Sequence, residues 1–330
     1  MTARVVVLGA NAFSASHFVA HALSQGAEVL GISRSAEPGA AFLPYRGQAR
    51  SSHYRFLQLD LNLDLPRILR DIEAFAPDAV VDFAGQGMVA ESWQDPAQWF
   101  QTNVLSKVKL HEGLRQLKGL QKYVRISTPE VYGSTSGAVR EVAPLNPSTP
   151  YAVTHASIDM SLRTYFQRYG FPVAFTRSSN FYGPGQQLYR IIPRAILSAM
   201  RGEKLPLHGG GHAIRNFLYI DDFCEAVWKV MSAAPAGELY HLASEEYLSI
   251  RQVVERIAAL MGVPFDDLVE IAEDRPSKDA AYYLDTAKIR SELGWVPTVS
   301  FDEGLRRTLA WAKTHASDLA GQSLVYVHKA

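Results

Sequence analysis

The sequence predicts an α/β fold, a doubly wound parallel sheet followed by a smaller lobe. Short apolar runs alternate with helix-length amphipathic segments through the first half. The first run opens directly into a glycine-initiated turn, and after about residue 180 the alternation weakens as Gly and Pro become frequent.

The runs are Val5 to Leu8, Glu28 to Ile32, Phe56 to Leu59, Ala79 to Phe83, Tyr123 to Ser127 and Val173 to Arg177. Between them lie stretches with helical spacing, among them Trp99-Phe100 through Leu110 and Leu114, and Ile158, Leu162, Tyr165 and Phe166. Each would bury one stripe on the sheet. Gly183-Pro184-Gly185 and Gly209-Gly210-Gly211 then punctuate the chain, and short helices such as Ile250 to Met261 take over. The expected division is a first domain over residues 1–180 and a lobe over 181–330, some segments of which return to the first domain.

A chain of 330 residues, 47% hydrophobic and 20% charged, has the apolar material for such a pair. Its 33 basic and 33 acidic side chains cancel, so the overall balance favours neither nucleic acid nor an anionic membrane. Any phosphate must be met locally. The one cysteine, Cys224, cannot form an internal disulfide and reads as a packed helix residue. Arg4-Val5-Val6-Val7-Leu8 is too short for a signal peptide and no run of about 18 apolar residues occurs, so a soluble cytoplasmic protein is expected. His208 and His212 flank three glycines without a third ligand at metal spacing, and no metal site is expected.

Gly9-Ala10-Asn11-Ala12-Phe13-Ser14 follows the first strand, where a dinucleotide-binding turn directs backbone N–H groups and a helix N-terminus at a pyrophosphate. Of the three glycines usual in such a turn only Gly9 is present; Ala12 and Ala15 add methyl groups, and strain is expected at any of these positions that needs positive φ. An ordinary strand-to-helix turn is the alternative. The second strand ends at Ser33-Arg34, without the acidic side chain that would bond a ribose 2′-hydroxyl. A serine and an arginine suit a 2′-phosphate, which favours NADP over NAD, although an arginine there also serves as a solvated surface residue. Asp60 and Leu61, after the third strand, can reach the adenine, and Ala84-Gly85-Gln86 after the fourth lets backbone pass close to a cofactor.

Ser127-Thr128-Pro129-Glu130-Val131-Tyr132-Gly133, ahead of Tyr151, brings a hydroxyl, a carboxylate and a phenol toward one site. On these segments, with Thr102-Asn103, Asn180-Phe181-Tyr182-Gly183-Pro184, Arg215 to Asp222 and Arg275-Pro276, the chain resembles the extended short-chain dehydrogenase/reductase family. Within it the likeness is to the nucleotide-sugar 4,6-dehydratases and epimerases, nearly end to end. The resemblance implies a Rossmann-type domain binding NADP or NAD, a C-terminal substrate-binding lobe, a nucleotide-diphosphate-sugar substrate and a homodimer. It also implies that Tyr151 takes the sugar hydroxyl proton, that Glu130 removes the C5 proton and that Thr128 bonds the C4 oxygen. Asn103 and Gln86 would line the cofactor and substrate, and Asn180, Arg190, Arg215 and Arg275 the nucleotide diphosphate.

Two positions depart from the family pattern. Pro129 stands where glucose-specific dehydratases carry an acid, and His155 stands four residues after Tyr151 where a lysine is usual. His155 reads either as a substitute that bonds a ribose and, when protonated, favours the phenolate, or as a helix-surface residue without a catalytic part. Glu130 alternatively reads as a solvated loop carboxylate. A dehydratase is the leading expectation, a 4-epimerase the first rival, and a degenerate nucleotide-sugar-binding protein the second.

Overall fold

The computed structural model describes residues 2–135, 137–273 and 283–329. Strand β1 (Arg4–Leu8) carries three consecutive valines shielded on both faces, as the centre of a parallel sheet requires. There follow α1 (Phe13–Ser24), β2 (Glu28–Ser33), β3 (Tyr54–Gln58), α2 (Leu65–Phe75), β4 (Ala79–Asp82), α3 (Pro96–Phe100), α4 (Ser106–Leu114), β5 (Lys122–Ser127), β6 (Ala138–Val139), α5 (Pro150–Tyr169) and β7 (Val173–Ser178). The second half adds β8 (Asn180–Tyr182), α6 (Ile191–Arg201), β9 (Leu205–His208), β10 (Ile214–Tyr219), α7 (Ile220–Ala233), β11 (Leu239–Leu242), β12 (Tyr247–Ser249), α8 (Ile250–Met261), α9 (Phe265–Leu268), β13 (Val269–Ala272), β14 (Tyr283–Leu284), α10 (Ala287–Leu293) and α11 (Phe301–Thr314).

Seven strands form one parallel sheet in the order β11-β7-β5-β4-β1-β2-β3. The chain winds outward from β1 to β3, then returns to begin β4 on the other side of β1. That reversal opens a crevice at the carboxyl ends of β1 and β4, the place where open α/β sheets take their ligands. All six anticipated strands are present, and the seventh, β11, comes from the second half of the chain. Its pairing of Leu239 with Phe175 extends the sheet beyond β7. Helix α7 also packs with α1 in the main core, through Phe223, Val227 and Val230. Cys224 lies buried on this helix, and burial pushes its thiol well above the ordinary range, in keeping with a packing role.

The remaining strands form small sheets, β12-β10-β8, β13-β9 and β14-β6. Helix α8 begins in a capping box: Ser249 accepts from the Gln252 amide, and the Gln252 side chain accepts from the Ser249 amide. Among the described residues no helix is long and apolar enough to cross a membrane.

Candidate functional site

At the end of β1, Gly9 turns the chain with φ +76°, and a Cβ there would lie 2.8 Å from the Ala84 amide nitrogen. Glycine is thus demanded by conformation and by the close approach of the β4 loop. The strain anticipated at the alanines is absent. Ala12 takes φ −69° and ψ 150° as the residue before α1, and Ala15 lies inside that helix, so neither needs the left-handed region that penalises a methyl group. The Asn11 side-chain amide donates to the carbonyls of Ser35 and Ala36 at 2.7 and 2.9 Å, tying the turn to the loop after β2. Phe13 and Ser14 open α1 and are buried. The first amides of this helix, which have no partners four residues back, sit at the switch point of the sheet.

Ser33 ends β2, and its carbonyl accepts from the Leu59 amide at 3.0 Å. Asp60 accepts from the Asn62 amide at 2.7 Å, and Leu61 packs at the edge of the apolar cluster on that side of the sheet. Arg34 donates to the Lys329 carbonyl at 2.8 Å, and the Gln86 side chain donates to the same oxygen at 3.2 Å. The segment bearing Lys329 therefore crosses the carboxyl edge of the sheet. Its His328 stacks on Trp99 with centroids 5.1 Å apart and meets Gln98 at 2.8 Å, while Tyr326 meets Tyr189 edge-on at 5.0 Å.

After β4, Ala84-Gly85-Gln86 is pinned by Asn103, which lies in a single π-helical turn (101–105) between α3 and α4. Its side-chain oxygen accepts from the Gln86 amide at 2.7 Å, and its nitrogen donates to the Gln86 carbonyl at 3.0 Å and to Thr154 at 3.2 Å. A Cβ on Gly85 would lie 3.0 Å from that oxygen. Asn103 thus joins the β4 loop to α5.

Helix α5 starts with Thr149, whose hydroxyl accepts from the Ala152 amide at 3.1 Å, and with Pro150 in its first turn. That start places Tyr151 at the head of the helix, its amide donating to Ser92 at 3.2 Å. Thr128 precedes the short turn Pro129–Tyr132, and its side chain accepts from the Glu130 amide at 3.3 Å. Burial pushes the Tyr151 phenol up to about 12, and the nearby Glu130 charge adds to this; a hydrogen bond with Thr128 and the charges of Arg125 and Arg190 act the other way. Thr128, Glu130 and Tyr151 therefore share one site.

The surface reading of His155 is corrected: the residue is 9% exposed, with its ring 4.5 Å from that of Tyr151. Burial first, then Arg125, Lys107 and Arg177, push it well below the ordinary histidine value, which favours the neutral ring.

After β7, β8 begins at Asn180 and pairs with β10 so that Asn180 lies opposite Phe217, two residues along from Arg215. Arg215 donates to the Ile214 carbonyl at 2.7 Å. Arg190 immediately precedes α6, its guanidinium 5.4 Å from the Tyr189 ring centroid. Arg275 lies outside the described residues.

Beneath the site is a polar cluster that pattern reasoning missed. Asp82 is fully buried at the end of β4, paired with Lys107 and accepting from the Tyr123 hydroxyl at 2.6 Å. Burial would raise its carboxyl, but Lys107 and Arg125 hold it below the usual range; burial pushes Lys107 down to about 8. Arg125 contacts Asp159 at 3.4 Å and Asp82 at 3.9 Å, and Arg177 contacts Asp159 at 2.9 Å. The signal was an arginine in the middle of the apolar run of β5, where a charge must be paired.

Residues 6–308 match the family model described as GDP-mannose 4,6 dehydratase. A curated relative, the probable dTDP-glucose 4,6-dehydratase of Sinorhizobium fredii, is 34% identical, with 93% of this chain and 92% of that protein covered. The dTDP-glucose 4,6-dehydratase of Streptomyces venezuelae, solved with NAD bound, superposes with a TM-score of 0.87 at 32% identity, covering 95% of this chain and 98% of that one. A UDP-glucose 4-epimerase of Thermus thermophilus, in complex with NAD, gives 0.84 at 27% identity, covering 94% and 99%. With nearly the whole sheet and most of the chain inside these matches, the chain belongs to the GDP-mannose 4,6 dehydratase family.

Proposed function

We propose that the chain is a nucleotide-sugar 4,6-dehydratase, removing water across C5 and C6 of a hexose carried on a nucleotide diphosphate. The observation that carries this reading is Glu130 beside Tyr151 and Thr128: an epimerase needs the phenol and the hydroxyl but no carboxylate base. The relatives named dTDP-glucose 4,6-dehydratases support it.

Residues around Gly9 fit a nicotinamide dinucleotide, since a side chain there would fill the close approach between the turn and Ala84. When bound, that group supplies the acceptor that takes hydride from C4 and returns it to C6. Tyr151, as phenolate, accepts the 4-hydroxyl proton, and Thr128 bonds the C4 oxygen. Glu130 takes the C5 proton, which the neighbouring ketone has made acidic. With Pro129 unable to donate, the same carboxyl returns a proton to the departing C6 hydroxyl, which leaves as water. C5 then takes a proton from solvent while Tyr151 releases the 4-hydroxyl proton to solvent; with the hydride that a bound nicotinamide would return to C6, the balance is loss of one water and no net oxidation. Arg34 at the end of β2 supports NADP, whereas the solved relatives carry NAD. Exposed Phe100 at the end of α3, Leu105 in the π turn and Met160 on α5 support a homodimer formed through these elements.

Mass spectrometry of dTDP-, UDP-, GDP- and CDP-sugars after incubation with the protein and NAD or NADP tests the reading. Loss of one water from a sugar supports it. Sugars unchanged in mass with shifted retention times point to an epimerase, and sugars unchanged in both respects remove catalysis.

A further inference from the structure

Position 155 lacks the lysine expected there, and its histidine is neutral, so the fixed charge behind the phenol must come from elsewhere. We propose that Arg125 is the positioning residue that replaces it, holding a permanent positive charge beneath Tyr151 and locking His155 into a single tautomer. The proposal rests on the reading of Tyr151 as the base.

Three observations carry it. Residues 151 and 155 lie one turn apart on the same face of α5, their rings 4.5 Å apart, with the middle of β5 against that helix. From β5, the Arg125 Nη2 meets the His155 Nδ1 at 3.0 Å. A guanidinium has no lone pair to offer and keeps its protons at any working pH, so Nδ1 is the acceptor and a neutral His155 carries its proton on Nε2. That nitrogen is then the ring's donor, the group suited to a cofactor hydroxyl.

The guanidinium is itself held from other directions, by Asp159 at 3.4 Å and Asp82 at 3.9 Å. Lys107 and Arg177 do not take this part: the first is paired with Asp82, and the second with Asp159 while lying over the Tyr132 ring at 4.7 Å. Among the described residues, the carboxylates paired with Arg125, Lys107 and Arg177 are Asp82 and Asp159, three cations against two carboxylates. The excess positive charge is what a phenolate at Tyr151 would balance. Facing Tyr151 from its other sides are Glu130, which opposes ionisation, and Arg190, which favours it; Glu91 belongs to the short turn that packs against the start of α5.

The test combines nitrogen NMR of isotopically labelled histidine with pH profiles of kcat and KM, on the wild type, Arg125→Met, Arg125→Lys and the double variant Arg125→Met/His155→Lys, with His155→Gln to assign the resonance. We expect the wild type to show His155 unprotonated at Nδ1 and protonated at Nε2 across neutral pH, and Arg125→Met to show mixed tautomers. The acidic limb of kcat should move up by about one pH unit or more in Arg125→Met, with KM little changed, and the cation restored in the double variant should bring it back. An unaltered tautomer and an unmoved limb in Arg125→Met would overturn the proposal. Should Arg125→Met fail to fold, Arg125→Lys and the double variant decide it: the first should keep the limb near its wild-type position and the second should restore it, and a displaced limb in both overturns it. If the wild type dehydrates no sugar, the assignment of Tyr151 fails, while the nitrogen spectra still decide whether Arg125 sets the tautomer.

Discussion

Gly9 and Glu130 show how much chemistry one position can carry. At Gly9 a methyl group meets a positive φ and the Ala84 backbone together, so Gly9→Ala costs at least about 1–2 kcal/mol from conformation alone. Thermal unfolding should register that loss, and calorimetry should show weakened binding of NAD; an alanine variant that binds NAD as well as the wild type would remove the close approach as a requirement. For Glu130→Gln the expectation is opposite in kind: NAD binding kept, dehydration reduced by about 10²–10⁴. Retained water loss in that variant would show that another group takes the C5 proton. Thr128, Glu130 and Tyr151 were legible because the two short segments bearing them are read locally, each element start setting its own side chains. Arg125 was not, because nothing in Lys122-Tyr123-Val124-Arg125-Ile126-Ser127 says which carboxylates fold against it.

Between the strands, the π turn at 101–105 does more than extend α3 into α4. It carries Asn103 to the β4 loop and to Thr154 on α5, bracing that loop against the helix that bears Tyr151. Removing that brace in Asn103→Ala leaves the buried Gln86 amide without its acceptor, at a cost of about 1–3 kcal/mol. Denaturant unfolding should show the loss, and NAD affinity should fall with it; unchanged stability would mean that the loop finds another acceptor. The helical spacing through Trp99, Leu110 and Leu114 was readable from sequence, whereas the extra residue that makes the turn π-helical was not. Apolar period constrains which face is buried and leaves a local change of winding free.

At the scale of the molecule, buried neutral histidines couple folding to pH. Burial pushes His17 down to about 4, and His111 and His241 down to about 3, against about 6.5 in the unfolded chain. Above pH 6.5 neither state holds these protons. As pH falls below that value the unfolded chain binds them first, so stability is lost from about pH 6.5 downward, by up to about 1.4 kcal/mol per unit for each histidine. Denaturant midpoints measured from neutral pH to about pH 4.5 should decline throughout that range; a flat profile would mean that these rings titrate as if exposed. The crossing of 326–329 over Arg34 and Gln86 has a comparable reach, joining residues 243 or more apart in sequence. Deleting residues 323–330 should tighten NAD or NADP binding, because these donors then no longer serve the Lys329 carbonyl. Weaker binding after deletion would instead make the segment part of the cofactor site.

The sheet-forming runs, the single glycine at the switch point and the hydroxyl, carboxylate and phenol near one another could be read from residues close together in the chain. The remaining features came from packing between distant segments. It added β11 to the sheet, gave Ala12 a backbone free of strain, buried His155 as a neutral ring and set three cations against two carboxylates beneath Tyr151. Charge and protonation follow from what lies within a few ångströms in space, and residues such as Asp82, Lys107, Arg125 and Asp159 become neighbours only when β4, α4, β5 and α5 pack together.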